Sequence, residues 1–361
     1  MRLIEFEYTD NIWTLQPIRF NQSNLLVGAN STGKSRTIEA IKSCADFISQ
    51  SGASHHFFNI TDTINCKMKF KDGDTHIVYS FISEEKKIIE ERLFLISDNK
   101  EEFIVLRDSI SSSLNGQKVT PPVDKLLINV RRDEEQYPIF EKIIHWAENT
   151  YYIPFSLLKD RTMFEIADNK NNLSDYLLSF TQEQKERVIQ KVKTLNYHIT
   201  NVNVRKFGEF KLPFITEEKV ETKLPILSLS TGMVCVIYIL VILEYLSAHN
   251  MPSCILIDDF CEGLDYERSK QLGKLIFDYS YEQGTDLIVS SNDSFLMDVV
   301  PTDKWIILTR EGSVVGNLSQ QTHPDLFEDF SFTGLNNFTL FSSNYIEKYL
   351  ARNQSKDGQS V

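Results

Sequence analysis

Three short stretches carry the residues able to do chemistry. The first is GANSTGKS, residues 28–35, in which Gly28 and Gly33 bracket four residues and Lys34 and Ser35 follow. Glycines let a main chain pass close to phosphate, and successive N–H groups then bind the anion at the positive end of a helix. That assigns Gly28, Asn30, Ser31, Thr32, Gly33, Lys34, Ser35 and the next residue, Arg36, to binding a nucleotide. Lys34 is expected to reach the β- and γ-phosphates, and Ser35 to ligate Mg²⁺. The second stretch is ILIDDFCEGLD, residues 255–265, an apolar run ending in two adjacent acids. Asp258 is expected to hold Mg²⁺ through water, and Asp259 to polarise the attacking water. Taken alone, the same two acids could simply cap the loop before a helix. The third is LSLSTGM, residues 227–233, where Ser230 and the N–H groups near Gly232 form an anion site at a helix start, or only an N-cap.

These residues need elements to hold them. MRLIEFEY alternates like a strand, and SNLLVGA is a second strand running into the Gly-rich turn. Residues 36–49 have apolar positions at helical spacing. Short alternating runs between 64 and 107, broken by KDGD and SDNK, predict an antiparallel β region. Residues 137–149 and 174–196 read as helical, the latter as one amphipathic helix, with 168–172 a loop between them. Two strand-like runs follow over 199–216. Then come an apolar helix 233–248, a strand 254–258, a helix 266–280, and strands 286–291 and 304–309. Strands alternating with helices predict an α/β fold with a mostly parallel sheet.

Composition removes several classes. The net charge is −12, against a general nucleic-acid coat, which needs clustered cations. Arg131-Arg132 and the helix bearing Lys185, Arg187, Lys191 and Lys193 remain as local basic strips or as plain solvated faces. Five scattered cysteines, with no C-x-x-C pair, fit a reducing cytosol and no structural zinc. The adjacent His55-His56 suit no metal face. The N-terminus lacks a signal-peptide core. The longest apolar run, 233–246, is shorter than the ~20 residues of a bilayer span and contains Glu244, so it predicts a buried helix and no membrane partner.

GANSTGKS, LSTG, ILIDDFCEGLD and LIVSSNDSFL, in that order, resemble the motifs of an ABC-type ATPase. The chain is similar to the SMC/RecF-like branch, among the compact AAA-family ATPases of bacterial anti-phage defence and abortive-infection operons. The resemblance implies a P-loop NTPase head over 1–60 and 199–330. An antiparallel β subdomain would occupy 61–130 and a helical insert 131–198. Residues 331–361 would form a C-terminal segment with a disordered tail after Leu350. It implies ATP and Mg²⁺ as cofactors and Leu229–Gly232 as the signature. It further implies Gly263-Leu264-Asp265 as the D-loop and Asn292 in the switch position beside Lys34 and Asp259. Two copies would sandwich ATP, Ser230 of one closing the site of the other, with Asp265 coupling the pair. A partner effector encoded nearby, a nuclease or other toxin, is the implied target in a cytoplasmic defence system. A DNA-repair ATPase gripping duplex DNA and a transporter subunit are the alternatives.

The chain departs from that pattern at several places. Asp259 stands where Glu is usual, one methylene shorter and so about 1.5 Å further from the γ-phosphate. Displacement on that scale costs roughly 10²-fold in rate, which predicts slow hydrolysis. Asn292 replaces a histidine and cannot carry charge. Met233 and Val234 follow the signature where charged residues are common. Glu262 is a second acid on the D-loop side. No glutamine is placed at the site, Gln117 being the nearest in plausibility. Trp13 and Phe20 are either adenine platforms or core. The Phe-rich stretch 325–341 is either a docking surface or a segment packed on the core.

Overall fold

The computed structural model describes residues 1–50, 63–97, 100–157, 173–208, 210–249 and 254–357. Three strands are buried at every position: β3 (Ser23–Val27), β14 (Cys254–Asp258) and β15 (Asp286–Ser290). Strands that read as unbroken apolar runs must be covered on both faces, which is the parallel α/β arrangement. They lie side by side in the order β14, β15, β3, with β10 (Thr150–Pro154) outside β14 and β16 (Trp305–Glu311) beyond β3. All five run parallel, with Ile257 opposite Val289 and Val289 opposite Leu25. Their C-terminal ends therefore fall on one edge, where ligands of open α/β sheets bind.

Period-two alternation divides each strand between two cores. Leu25, Val27, Ile255, Ile257, Leu287 and Val289 face one, and Leu26, Leu256 and Ile288 face the other. The second core is closed by α1 (Lys34–Ser49), with a short α2 (Leu127–Val130) and α3 (Pro138–Glu148). The first core holds α4 (Leu173–Ser179), α5 (Gln182–Thr194), α6 (Thr231–His249), α7 (Tyr266–Gln283) and α8 (Ser294–Val299). It also takes the C-terminal α9 (Pro324–Ser331), α10 (Asn337–Ser342) and α11 (Tyr345–Asp357).

β16 returns as β17 (Val314–Ser319), and the sheet continues through β2 (Thr14–Arg19) and β1 (Arg2–Asp10). It runs on into the antiparallel β4 (Thr63–Asp72), β5 (Thr75–Glu84), β6 (Lys87–Ser97), β7 (Lys100–Arg107), β8 (Ser112–Leu114) and β9 (Gln117–Lys118). The antiparallel strands expected after residue 63 thus extend the central sheet, since β1 pairs with β4. A separate three-stranded sheet comprises β11 (Ile199–Phe207), β12 (Phe210–Glu217) and β13 (Leu224–Pro225).

The apolar helix α6 is long and apolar enough to cross a membrane by length and composition, yet it lies in the protein core. Its single acid, Glu244, is 3% exposed and paired with Arg187 at 2.7 Å and Lys191 at 3.6 Å. Two cations of the candidate basic strip are thereby engaged within the chain. Arg132 is likewise held by Glu141 at 2.8 Å and Glu148 at 3.3 Å.

Several sequence expectations change. The single helix over 174–196 is two helices, because Thr181 and Gln184 form a reciprocal capping box that starts α5 afresh. The strand β10 lies within a stretch read as helical; its sequence TYYIP is aromatic and β-branched, but too short to show a period. Helix α11 continues to Asp357, past the Leu350 expected to begin a disordered tail. Leu326, Phe327, Phe330 and Leu340 of the Phe-rich stretch are buried in the core, as are Trp13 and Phe20. Gln117 is exposed on the last strand of the sheet, ten strand positions from β3. The loop 168–172 and His55-His56 lie outside the described residues.

Candidate nucleotide site

The loop between β3 and α1 is built so that only certain residues fit. A Cβ on Gly28 would lie 2.8 Å from the Leu308 carbonyl oxygen and 2.5 Å from Thr32 Oγ1, closer than atoms pack. Gly33 has φ +104°, a left-handed conformation that strains any side-chain-bearing residue. The Thr32 hydroxyl donates to Ala29 O at 2.9 Å, and Lys34 Nζ donates to Gly28 O at 2.9 Å. Two distant elements hold the loop from outside. Asn292 Nδ2 donates to Asn30 Oδ1 at 3.1 Å, and Arg310 Nη1 donates to Ser31 O at 3.1 Å. Helix α1 starts with no side-chain cap and no acid in its first turn, so its leading N–H groups and positive end favour an anion. The Arg36 side chain lies 3.9 Å from Asp10 and 5.1 Å over the Trp13 ring, which borders the loop at Gly33.

At the end of β14, Asp258 is 7% exposed. Its carboxylate accepts a hydrogen bond from the Ser290 hydroxyl, and the Ser35 hydroxyl lies near enough to favour its charged form. Burial pushes the Asp258 carboxyl above its ordinary range, the Asp259 charge adds to this, and the serine hydroxyls oppose it. Burial pushes the Lys34 ammonium down, while the charges of Asp259 and Asp258 pull it back up. The chain then turns through alternating left-handed residues, Asp259 (φ 53°), Cys261 (φ 67°) and Gly263 (φ 80°). The Asp259 N–H donates to Ser290 Oγ at 3.0 Å, and Ser156 Oγ donates to Asp259 Oδ2 at 3.3 Å. Glu262 is raised by burial first, then by Asp259 and Asp258. Ser35 and Asp258 offer adjacent hard oxygens, a donor pair that fits Mg²⁺, which prefers few protein ligands and keeps waters. Among the described residues no group of three or more His, Cys, Asp or Glu forms a larger cage.

A second group lies further along. Ser230 Oγ accepts from the Met233 N–H at 3.3 Å, starting α6. Gly232 presses on the turn after β14; a Cβ there would lie 2.7 Å from Leu264 Cδ2 and 3.3 Å from Gly263 O. Asp265 caps α7 by accepting from the Arg268 N–H at 3.1 Å. A direct hydrogen bond therefore joins Asn30 to Asn292, Ser35 lies beside Asp258, and Gly232 and Asp265 sit at the loop that follows the acids, with Ser230 at the start of the same helix as Gly232. Ser290, Ser156 and Arg310 were missed in the sequence. Ser290 at the end of LIVS had one signal, the strand end preceding Asn292. Nothing in a single sequence places Ser156 or Arg310 against their partners.

A Gly-rich loop between a buried strand and an uncapped helix, facing an acid pair at the same sheet edge, is the arrangement of a P-loop nucleotide site. The chain belongs to the family described as "AAA domain, putative AbiEii toxin, Type IV TA system", whose model matches residues 23–298. Its fold is similar to solved SMC heads. An SMC head bound to the C-terminal winged-helix domain of ScpA aligns at TM-score 0.58 and 13% identity, over 90% of this chain and 100% of that one. An SMC head with an extended coiled coil bound to the C-terminal domain of ScpA, from Pyrococcus furiosus, aligns at TM-score 0.51 and 13% identity, over 91% and 99%. One with a coiled coil and joint from Pyrococcus yayanosii aligns at TM-score 0.50 and 11% identity, over 91% and 99%. At these identities the likeness is one of fold. No curated protein matches the chain.

Proposed function

We propose that this chain binds ATP with Mg²⁺, hydrolyses it slowly, self-associates around it, and so controls a partner effector in bacterial antiviral defence. The observation that carries this is the convergence of Lys34, Ser35, Asp258 and Asp259 at one sheet edge, with Lys34 feeling the charge of both acids. Bound Mg²⁺ would supply charge neutralisation on the phosphates. Ser35 and Asp258 would hold it, Lys34 would bind the phosphate oxygens, and Asp259 would orient and deprotonate water. Asn292, tied to Asn30, stands at the mouth as a neutral hydrogen-bonding group.

Self-association follows from the incompleteness of one site. A P-loop leaves the γ-phosphate open on one side, and Ser230 at the start of a 19-residue helix is exposed. From a second copy, Ser230 and the N–H groups around Gly232 would close that side, with Asp265 alongside. ATP then binds the assembled form more tightly than the separate chains and drives assembly by mass action. The family's description names a toxin and a type IV toxin–antitoxin system, which supports the defence reading and an encoded effector. Two of the solved SMC heads carry a domain of ScpA, which supports a head that works through another protein. The acidic chain and its internally paired Arg187, Lys191 and Arg132 count against gripping duplex DNA. Buried free cysteines suit a reducing cytoplasm.

The test is solution mass by light scattering, with and without MgATP. The monomer mass is expected to double when ATP is added and to revert as ATP is consumed. An unchanged mass at saturating ATP would remove the sandwich. Ser290→Ala supplies a check on the acids. Its hydroxyl is donor to Asp258 and acceptor from the Asp259 N–H, so both acids lose their register together. Turnover is expected to fall about tenfold, the equivalent of one hydrogen bond of ~1.4 kcal/mol felt at the reacting geometry. Half-saturating Mg²⁺ should rise in the same titration, whereas a purely structural serine would leave it in place.

A further inference from the structure

Arg268 is the third residue of α7, directly after the Gly263–Asp265 turn. Its guanidinium is used on every side. Nη1 pairs with the Asp265 carboxylate, Nε donates to Leu195 O at 3.3 Å, and Nη2 donates to Asn196 O at 3.2 Å. Its plane also lies 4.2 Å over the Tyr197 ring, which is 7% exposed. Leu195 and Asn196 form the end of α5, where unpaired carbonyls and the negative helix end favour a cation. Asn196 is left-handed there, with φ 59°.

The geometry points to Arg268 as a positioning residue for Asp265, fixing the turn beside the ATP site to the end of α5. This deepens the ATP-driven association read above and rests on it. The connection closes a ring. From the Asp265 turn it runs through Arg268 to α5, whose Arg187 and Lys191 grip Glu244 of α6. The first turn of α6 then bears back on Gly263 and Leu264 through Gly232. A force that displaces α5 must therefore move the Asp265 turn or break a charge-assisted bond. The carbonyls of Leu195 and Asn196 need a planar fork, and a lysine offers one point charge in its place. A bland role is available to Arg268, that of capping α5, and it predicts different behaviour.

The experiment compares wild type, Arg268→Ala and Arg268→Lys by amide hydrogen exchange over 259–268 and 193–199, and by ATP binding and ATP-driven association. In Arg268→Ala the amides of 261–265 should exchange about tenfold faster, the loss expected from one partly exposed charge-assisted bond. Nucleotide affinity of the single chain should stay within about twofold, since the hydrogen bonds and ion pair of Arg268 go to Asp265, Leu195 and Asn196, while the ATP concentration for half-association rises about tenfold. Arg268→Lys should fall between. Exchange at 193–199 alone rising, with 261–265 and association at wild-type level, leaves Arg268 a helix cap and overturns the proposal. Wild type failing to associate with ATP defeats the functional reading instead, and the exchange contrast at 261–265 still decides the role of Arg268.

Discussion

Lys34→Ala is expected to weaken ATP binding about a hundredfold and to abolish ATP-driven association. A hydrogen bond to a charged group contributes ~1.5–3 kcal/mol, and ~2.8 kcal/mol is two decades in Kd. The structure shows why the effect should sit at the upper end. Lys34 is 6% exposed, and its ammonium bonds Gly28 O and Ala29 O inside the loop. It is also the cation that Asp258 and Asp259 both act upon. Without it, a polyphosphate would enter a site containing two acids and a third, Glu262, close enough to feel them. Calorimetric titration with ATP, and mass with saturating nucleotide, measure the two effects. Retained association in Lys34→Ala would show that the chain assembles without reading ATP. Lys34→Arg should not restore binding, because the larger planar group cannot lie between the two carbonyls.

How much of this was legible in the sequence depends on the range of the contact. The phosphate loop could be read because its parts are consecutive: the strand, the glycines, the lysine and the helix are local events. The apolar runs ending at Asp258 and Ser290 showed as strands for the same reason. The contacts that aim the acids are not local. Ser290 meets Asp258 across 32 residues, Ser156 meets Asp259 across 103, and Arg310 meets Ser31 across 279. Each follows from strand order, and β10 beside β14 brings Ser156 to Asp259 only once the sheet exists. The basic helix shows the same limit. Arg187 and Lys191 read as a basic strip or a plain solvated face; Arg187 is indeed exposed, but its bond to Glu244, 57 residues on, does not show in the sequence. Burial of Glu244 makes the pairing obligatory, since an isolated buried carboxylate is costly.

Asp259→Asn is expected to retain ATP-driven association and to lower turnover about 10²–10⁴-fold, the usual range for removing a general base. The backbone makes this an informative substitution. Asp259 is left-handed at φ 53°, a region that Asn and Asp occupy more readily than other residues. Asparagine can keep the turn, the N–H bond to Ser290 Oγ and an acceptor for Ser156 Oγ, so the charge and the proton site are what change. The same conformation bears on why aspartate stands here where glutamate was the expectation of the resemblance, since a longer side chain has no local bond to offset the left-handed strain. Single-turnover phosphate release measures the loss, and wild-type turnover above ~10 s⁻¹, the median enzyme value, would contradict a slow switch. If Asp259→Asn turns over like wild type, the base is not Asp259. Glu262 is then the acid to replace, because burial and the two neighbouring carboxylates raise its proton affinity, and a more basic carboxylate is the better acceptor for the proton of water.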